Sequence, residues 1–438
     1  MKKDARGLEV TTDSADVIAA VNDFTEQLIG LDKEIDSIIT YAEQHPDNFL
    51  LQSYAAAFYL YGLSQEAMSL ALPYINNAER LLKNANSREK AFFTVIKAWQ
   101  ACDYWHGISL LEAYAKEWPE DFVAIKVNEF FYFAMGQAYN GKRYLNYITP
   151  LMDKIPESSH IMACYSFALE LSGDYELAKW AAEKALEIDP NTPWAHHTLA
   201  HSYINLGELE AGAKRLSDVS QTWRNKAPFI LAHNAWHWAL FDIEQLNFDR
   251  VDDFFNNWIW NSMPEINPVQ VDGVSLLWRV EMAGGNVDKH WQTMAPYLEK
   301  NINDHYVPFL NAHYMYGLAR AGKHDACETM LDNLTRHSQQ QTGAYATYWD
   351  TIGLPLIEAC YAHAKQDYPR VVELLNPIAD GLQQVGGSDA QDTIFYQMLL
   401  SSLIETQHWP SARRILSQYV AQTKPSPLTQ RWQEDIRD

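Results

Sequence analysis

Residues 158–217 read SSHIMACYSFALELSGDYELAKWAAEKALEIDPNTPWAHHTLAHSYINLGELEAGAKRLS. Apolar residues recur here with helical rather than alternating period, which argues for packed helices and against strands. Gly173 and Gly207 stand 34 positions apart, each at an expected turn between two helices, and Leu169 and Tyr203, Ala178 and Gly212, and Ala182 and Leu216 keep the same offset. Ala178, Ala182 and Ala185 followed by Pro190 match the second half of a tetratricopeptide repeat, where small side chains let one helix approach the next closely. This segment holds the clearest repeats.

Outward from it, weaker helix pairs are expected at 50–83, 88–117, 122–155, 228–257, 268–300, 307–334, 353–382 and 391–421. Their turns fall at Gly62, Asp103, Gly136 to Gly141, Asn247, Gly284-Gly285, Gly322, Gln366-Asp367 and His408 to Pro410. A single helix pair cannot bury both of its faces, so the pairs must stack. The expected fold is all-α: a right-handed superhelix, or α-solenoid, of tetratricopeptide-like helix pairs. A helical cap is expected over 1–45 and one continuous array over 46–438.

Composition narrows the function. The 438 residues include 34 Lys and Arg against 56 Asp and Glu, a net charge of −22. Binding to nucleic acid rests on cations meeting phosphates, so this acidic field excludes nucleic acid as an expected partner, and an anionic membrane surface with it. No apolar stretch reaches 18 residues and the charged N-terminus lacks an apolar run, so neither a membrane span nor a secretory leader is expected. Cys102, Cys164, Cys327 and Cys360 lie apart in apolar stretches, as small hydrophobes would. A cytoplasmic protein is expected.

The chemistry is concentrated on the first helix of several pairs. With Pro193 opening a repeat, the inward positions are Trp194, His197, His201 and Ile204. The next first helix carries His233 and His237 with Trp236 between them, the next Asp272 and Arg279, and the next His313, with Asp350, Glu358 and Gln391 later. Residues four apart share a helix face, so these groups are expected to line one concave groove. One HxxxH pair is commonly structural; two on consecutive helices are harder to ascribe to packing. Imidazole and carboxylate suit a transition metal ion, with His197, His201, His233 and His237 its ligands, and imidazole also serves as a general base. Trp194 and Trp236 are read as packing or as an apolar wall. Arg279 is read either as a carboxylate clamp or as the partner of Asp272. No nucleophile elbow, Walker loop or GxGxxG occurs; Gly386-Gly387-Ser388-Asp389 reads as a helix end and a new N-cap.

These residues resemble the tetratricopeptide repeat protein 38 family. The matching stretches are Tyr165 to Glu170, Trp194 to His201, His233-Asn234-Ala235-Trp236-His237-Trp238-Ala239-Leu240, Val271-Asp272 with Leu277-Trp278-Arg279, Ala312-His313, Gly353 to Leu356 and Gly386 to Gln391. The resemblance spans roughly residues 20 to 430 and implies one helical unit, with His197, His201, His233, His237, Asp272, Arg279 and His313 in the shared pattern. It supplies no reaction. The chain departs from the family at Asp392-Thr393, where the family reads Arg-Asp, and at Asp350-Thr351, where the acid is displaced by one position.

The expected function is a binding protein that holds a peptide or small polar ligand in the His-rich groove. The alternative is a metal-assisted or His-based hydrolase or transferase using the same residues, with His197, His201, His233, His237 and Asp272 as catalytic candidates and Trp194, Trp236, Arg279, His313, Asp350 and Gln391 as ligand contacts.

Overall fold

The computed structural model describes residues 1–155, 157–420 and 424–436; position 421, the end of the last expected helix pair, falls outside them. Among the described residues the regular structure is helical apart from a two-stranded antiparallel hairpin that pairs Lys2 with Val10 and Lys3 with Glu9, and an isolated bridge between Asp32 and Lys226. The expected turns separate helices throughout, for example Phe49–Leu60 from Gln65–Leu81 and Asn267–Met282 from Asp288–Leu298. Side chains fix many of the starts: Asn86 and Ser388 each form a reciprocal capping box. Two widened π-helical turns, Phe254–Ile259 and Trp349–Gly353, have no counterpart in the sequence reading.

The repeat spacing has a direct structural cause. Gly173 and Gly207 both adopt positive φ, +86° and +67°, at the turns between helices. Gly212 lies so close to the next helix that a Cβ there would sit 2.4 Å from the Phe241 ring. Ala178, Ala182 and Ala185 are fully buried. The small residues of the pattern are therefore where the backbones come closest.

The first helices of successive pairs pack side by side: Ser159–Leu171 on Pro193–Asn205, then Pro228–Glu244, Asn267–Met282, Pro308–Arg320 and Leu354–Ala364. The chain then returns. The Gly387 amide donates to the Phe133 carbonyl at 2.9 Å, the Gln137 amide donates to the Gly387 carbonyl at 2.8 Å, and the Phe309 amide donates to the Val385 carbonyl at 3.1 Å. Gly136, at φ +82°, leaves no room for a side chain, because a Cβ would lie 1.9 Å from the Gln383 carbonyl oxygen. The helix that follows, Asp389–Glu405, packs against Asn267–Met282.

Candidate functional site

Four imidazoles converge. His197 and His201 are one turn apart on Pro193–Asn205; His233 and His237 are one turn apart on the neighbouring Pro228–Glu244. The Nε2 atoms of His201 and His197, of His197 and His233, and of His233 and His237 are each 3.2 Å apart. His197, His201 and His237 are almost wholly buried, and His233 retains a small exposed edge. Aromatic rings hold the imidazoles in place: Trp194 stacks on His197 at 4.3 Å between centroids, Trp236 stacks on His233 at 5.4 Å, and Phe167 meets His197 and His201 edge-on. Trp194 and Trp236 are thus walls for the imidazoles.

Carboxylates stand behind two of the rings. His233 places Nδ1 3.0 Å from Asp272 Oδ1. His201 places Nδ1 3.0 Å from Asp389 Oδ1 and 3.3 Å from Glu170 Oε1. Glu170 also accepts a bond from the Asn205 amide at 3.1 Å. Neither Glu170 nor Asp389 figures among the sequence candidates. Glu170 is the one carboxylate in the helix SHIMACYSFALEL and is 1% exposed, and a lone acid on a buried helix is the signal that points to it. Asp389 is delivered from far along the chain by the returning helix, and its place after the Ser388 cap hides any role beyond capping.

These contacts split the titrations. Burial works against charge on His201, but Glu170 and Asp389 outweigh it and push the imidazole up to about 10. Burial, reinforced by the Asp389 charge, raises Glu170 to about 8. Burial also works to raise Asp389, yet His201 and the Ala390 amide hold its carboxyl below the usual range. His197 and His237 fall well below the ordinary histidine range, through burial first and then the neighbouring imidazoles. Burial raises Asp272 despite the opposing pull of His233. At neutral pH His201 is therefore the cation, flanked by neutral His197 and His237.

Beside the cluster lies a chamber of about 50 Å³, bordered by His201, His237, Asn205, Arg279, Asp389 and Gln397 among others. Arg279 is 4% exposed and reaches the returning helix rather than its own neighbour Asp272. Its guanidinium donates to the Ala390 carbonyl at 2.6 Å, the Gln391 carbonyl at 3.3 Å, Thr393 Oγ1 at 3.1 Å and Gln397 Oε1 at 3.1 Å. It clamps the start of the helix that presents Asp389.

Three expected contacts lie elsewhere. His313 is buried between Phe309, Trp278 and Phe395, donates from Nδ1 to the Phe309 carbonyl at 2.8 Å, and is lowered to about 4 chiefly by burial. Gln391 closes the capping box with Ser388. Asp350 is exposed and accepts a bond from Ser338. His197, His201 and His237 are buried rather than open to solvent, His233 is partly buried, and the returning segment contributes Asp389 against His201.

No protein-family model matches the chain. No helix among the described residues is long and apolar enough to cross a membrane.

Proposed function

We propose that this chain is a binding protein of tetratricopeptide type, a right-handed superhelix akin to the tetratricopeptide repeat protein 38 family, that works in the cytoplasm. In this reading it holds a small polar ligand against its histidine cluster, and neither nucleic acid nor membrane is a partner. The observation that carries the reading is the chamber of about 50 Å³ beside His201, His237 and Asp389. That volume has room for roughly three or four waters, or a ligand of a handful of heavy atoms. A peptide is too large, so the small-ligand form is the one retained.

The chamber walls suit a ligand that both donates and accepts hydrogen bonds. Asp389 offers carboxylate oxygen and His201 a cationic ring. Thermal-shift screening of the full chain against small carboxylates, amines and amino acids tests this. The reading expects a ligand whose stabilisation disappears in Asp389→Asn. Saturating millimolar panels without any shift would count against it.

A second reading, a His-based or metal-assisted hydrolase or transferase, draws on two carboxylate–imidazole pairs, Asp272–His233 and Asp389–His201. Such pairs orient an imidazole for proton transfer or for ligation. Turnover of small esters, amides or phosphate esters that is abolished in His233→Gln would favour it over simple binding.

A further inference from the structure

We propose that the Nε2 atoms of His197, His201, His233 and His237 together hold one divalent transition-metal ion, zinc foremost. The inference rests on the cluster being functional but not on the chamber's ligand. Metal uptake and small-ligand binding are separate measurements, and either can fail alone.

The first support is spacing. A zinc ion with nitrogen ligands at 2.0–2.1 Å in tetrahedral array separates those nitrogens by about 3.3 Å. Three Nε2 pairs stand at 3.2 Å, in a chain from His201 through His197 and His233 to His237, and ligand atoms of His197, His201 and His237 lie within 4.8 Å of one another, a set that His233 joins through His197 and His237. Two HxxxH turns on adjacent helices are a simple way to bring four such nitrogens together, each pair presenting one face.

The second support is orientation. A ligating imidazole usually donates its other N–H to a carboxylate, which fixes its tautomer and makes the ligating nitrogen a stronger donor. His233 has Asp272 at Nδ1, and His201 has Asp389 and Glu170. With its Nδ1 proton directed at Asp272, His233 turns an Nε2 lone pair toward the common centre, while His201 has its two acids as close neighbours at 3.0 and 3.3 Å rather than as aligned hydrogen-bond acceptors. The Nδ1 atoms of His197, His201 and His237 make no hydrogen bond, and the rings of His197 and His237 are set by Trp194 and Trp236.

The third support is ligand type. Four imidazole nitrogens suit zinc, cobalt or copper and fit magnesium or calcium poorly, since those ions take oxygen. Any proton on Nε2 leaves to solvent as the ion enters, one lone pair being supplied by each ring.

The test uses the full chain, stripped with chelator, dialysed and titrated with zinc or cobalt(II). About one equivalent is expected to remain after gel filtration, and cobalt is expected to give the intense visible bands of four-coordinate geometry. His201→Gln and His233→Gln should lose the ion, while His324→Gln, an exposed histidine elsewhere, should retain it. Should the ligand variants fail to fold, Asp272→Asn keeps the ligands and is expected to weaken zinc by roughly 10–100-fold in chelator competition. Folded wild-type protein that retains no zinc or cobalt overturns the proposal, and so does uptake that Asp272→Asn and the ligand variants leave unchanged. Either result would mean that the imidazoles are bonded only to one another.

Discussion

His233 stands between Asp272 and the other imidazoles, with its Nδ1 3.0 Å from the Asp272 carboxylate on the adjacent inner helix and its Nε2 3.2 Å from His197. Asp272 is 1% exposed, so its charge is compensated inside the fold or not at all. The same layout recurs at His201, with Asp389 and Glu170. Each histidine helix thus receives acid from a different segment of chain.

Arg279→Met is expected to loosen the returning helix. Arg279 donates to two carbonyls at the start of Asp389–Glu405 as well as to Thr393 and Gln397. Methionine removes these four charge-assisted bonds while the Ala390 carbonyl keeps its bond from Thr393, a loss of roughly 2–4 kcal/mol. Urea unfolding followed by circular dichroism reads it, and an unchanged midpoint would show that the clamp is unimportant.

Gly136→Ala and Gly173→Ala separate strain from collision. Both glycines have positive φ, +82° and +86°, but a Cβ at Gly173 meets nothing within 4 Å whereas one at Gly136 meets the Gln383 backbone at 1.9 Å. Gly173→Ala is expected to cost about 1–2 kcal/mol from backbone conformation alone. Gly136→Ala is expected to cost at least about twice that, because the contact between residues 133–137 and 383–387 must open. Equal losses would mean that this contact adds little.

The repeat was legible in sequence because small residues recur wherever backbones touch, as at Ala178 and Gly212. The imidazole pairs were legible because a spacing of four residues fixes one helix face. Glu170, Asp389 and the true reach of Arg279 were not. They depend on the chain doubling back through Gly387 to Phe133, a contact between distant segments that no local period encodes. The same return brings Asp389 against His201, while Asp350 and Gln391 make local bonds to Ser338 and Ser388.

Acid is expected to destabilise the fold through its neutral buried histidines, and His196→Asn isolates one of them. Burial, helped by the Arg215 charge, lowers His196 to about 4, and its Nδ1 accepts a bond from the Trp223 indole at 3.2 Å. The unfolded chain binds this proton near pH 6.5 and the folded chain only near pH 4. The contribution of neutral His196 is therefore complete above pH 6.5 and is lost as pH falls toward 4. Over that window wild type should lose on the order of 3 kcal/mol relative to His196→Asn. Denaturant midpoints measured at several pH values check this, and parallel curves for the two proteins would refute it.

X-ray absorption at the zinc edge of the loaded full chain tests the central claim most directly, that four imidazoles surround one ion. The account predicts a single shell of four nitrogens at about 2.0–2.1 Å with the outer-shell scattering of imidazole rings. A shell containing sulfur, or one dominated by oxygen with one imidazole or none, would contradict it.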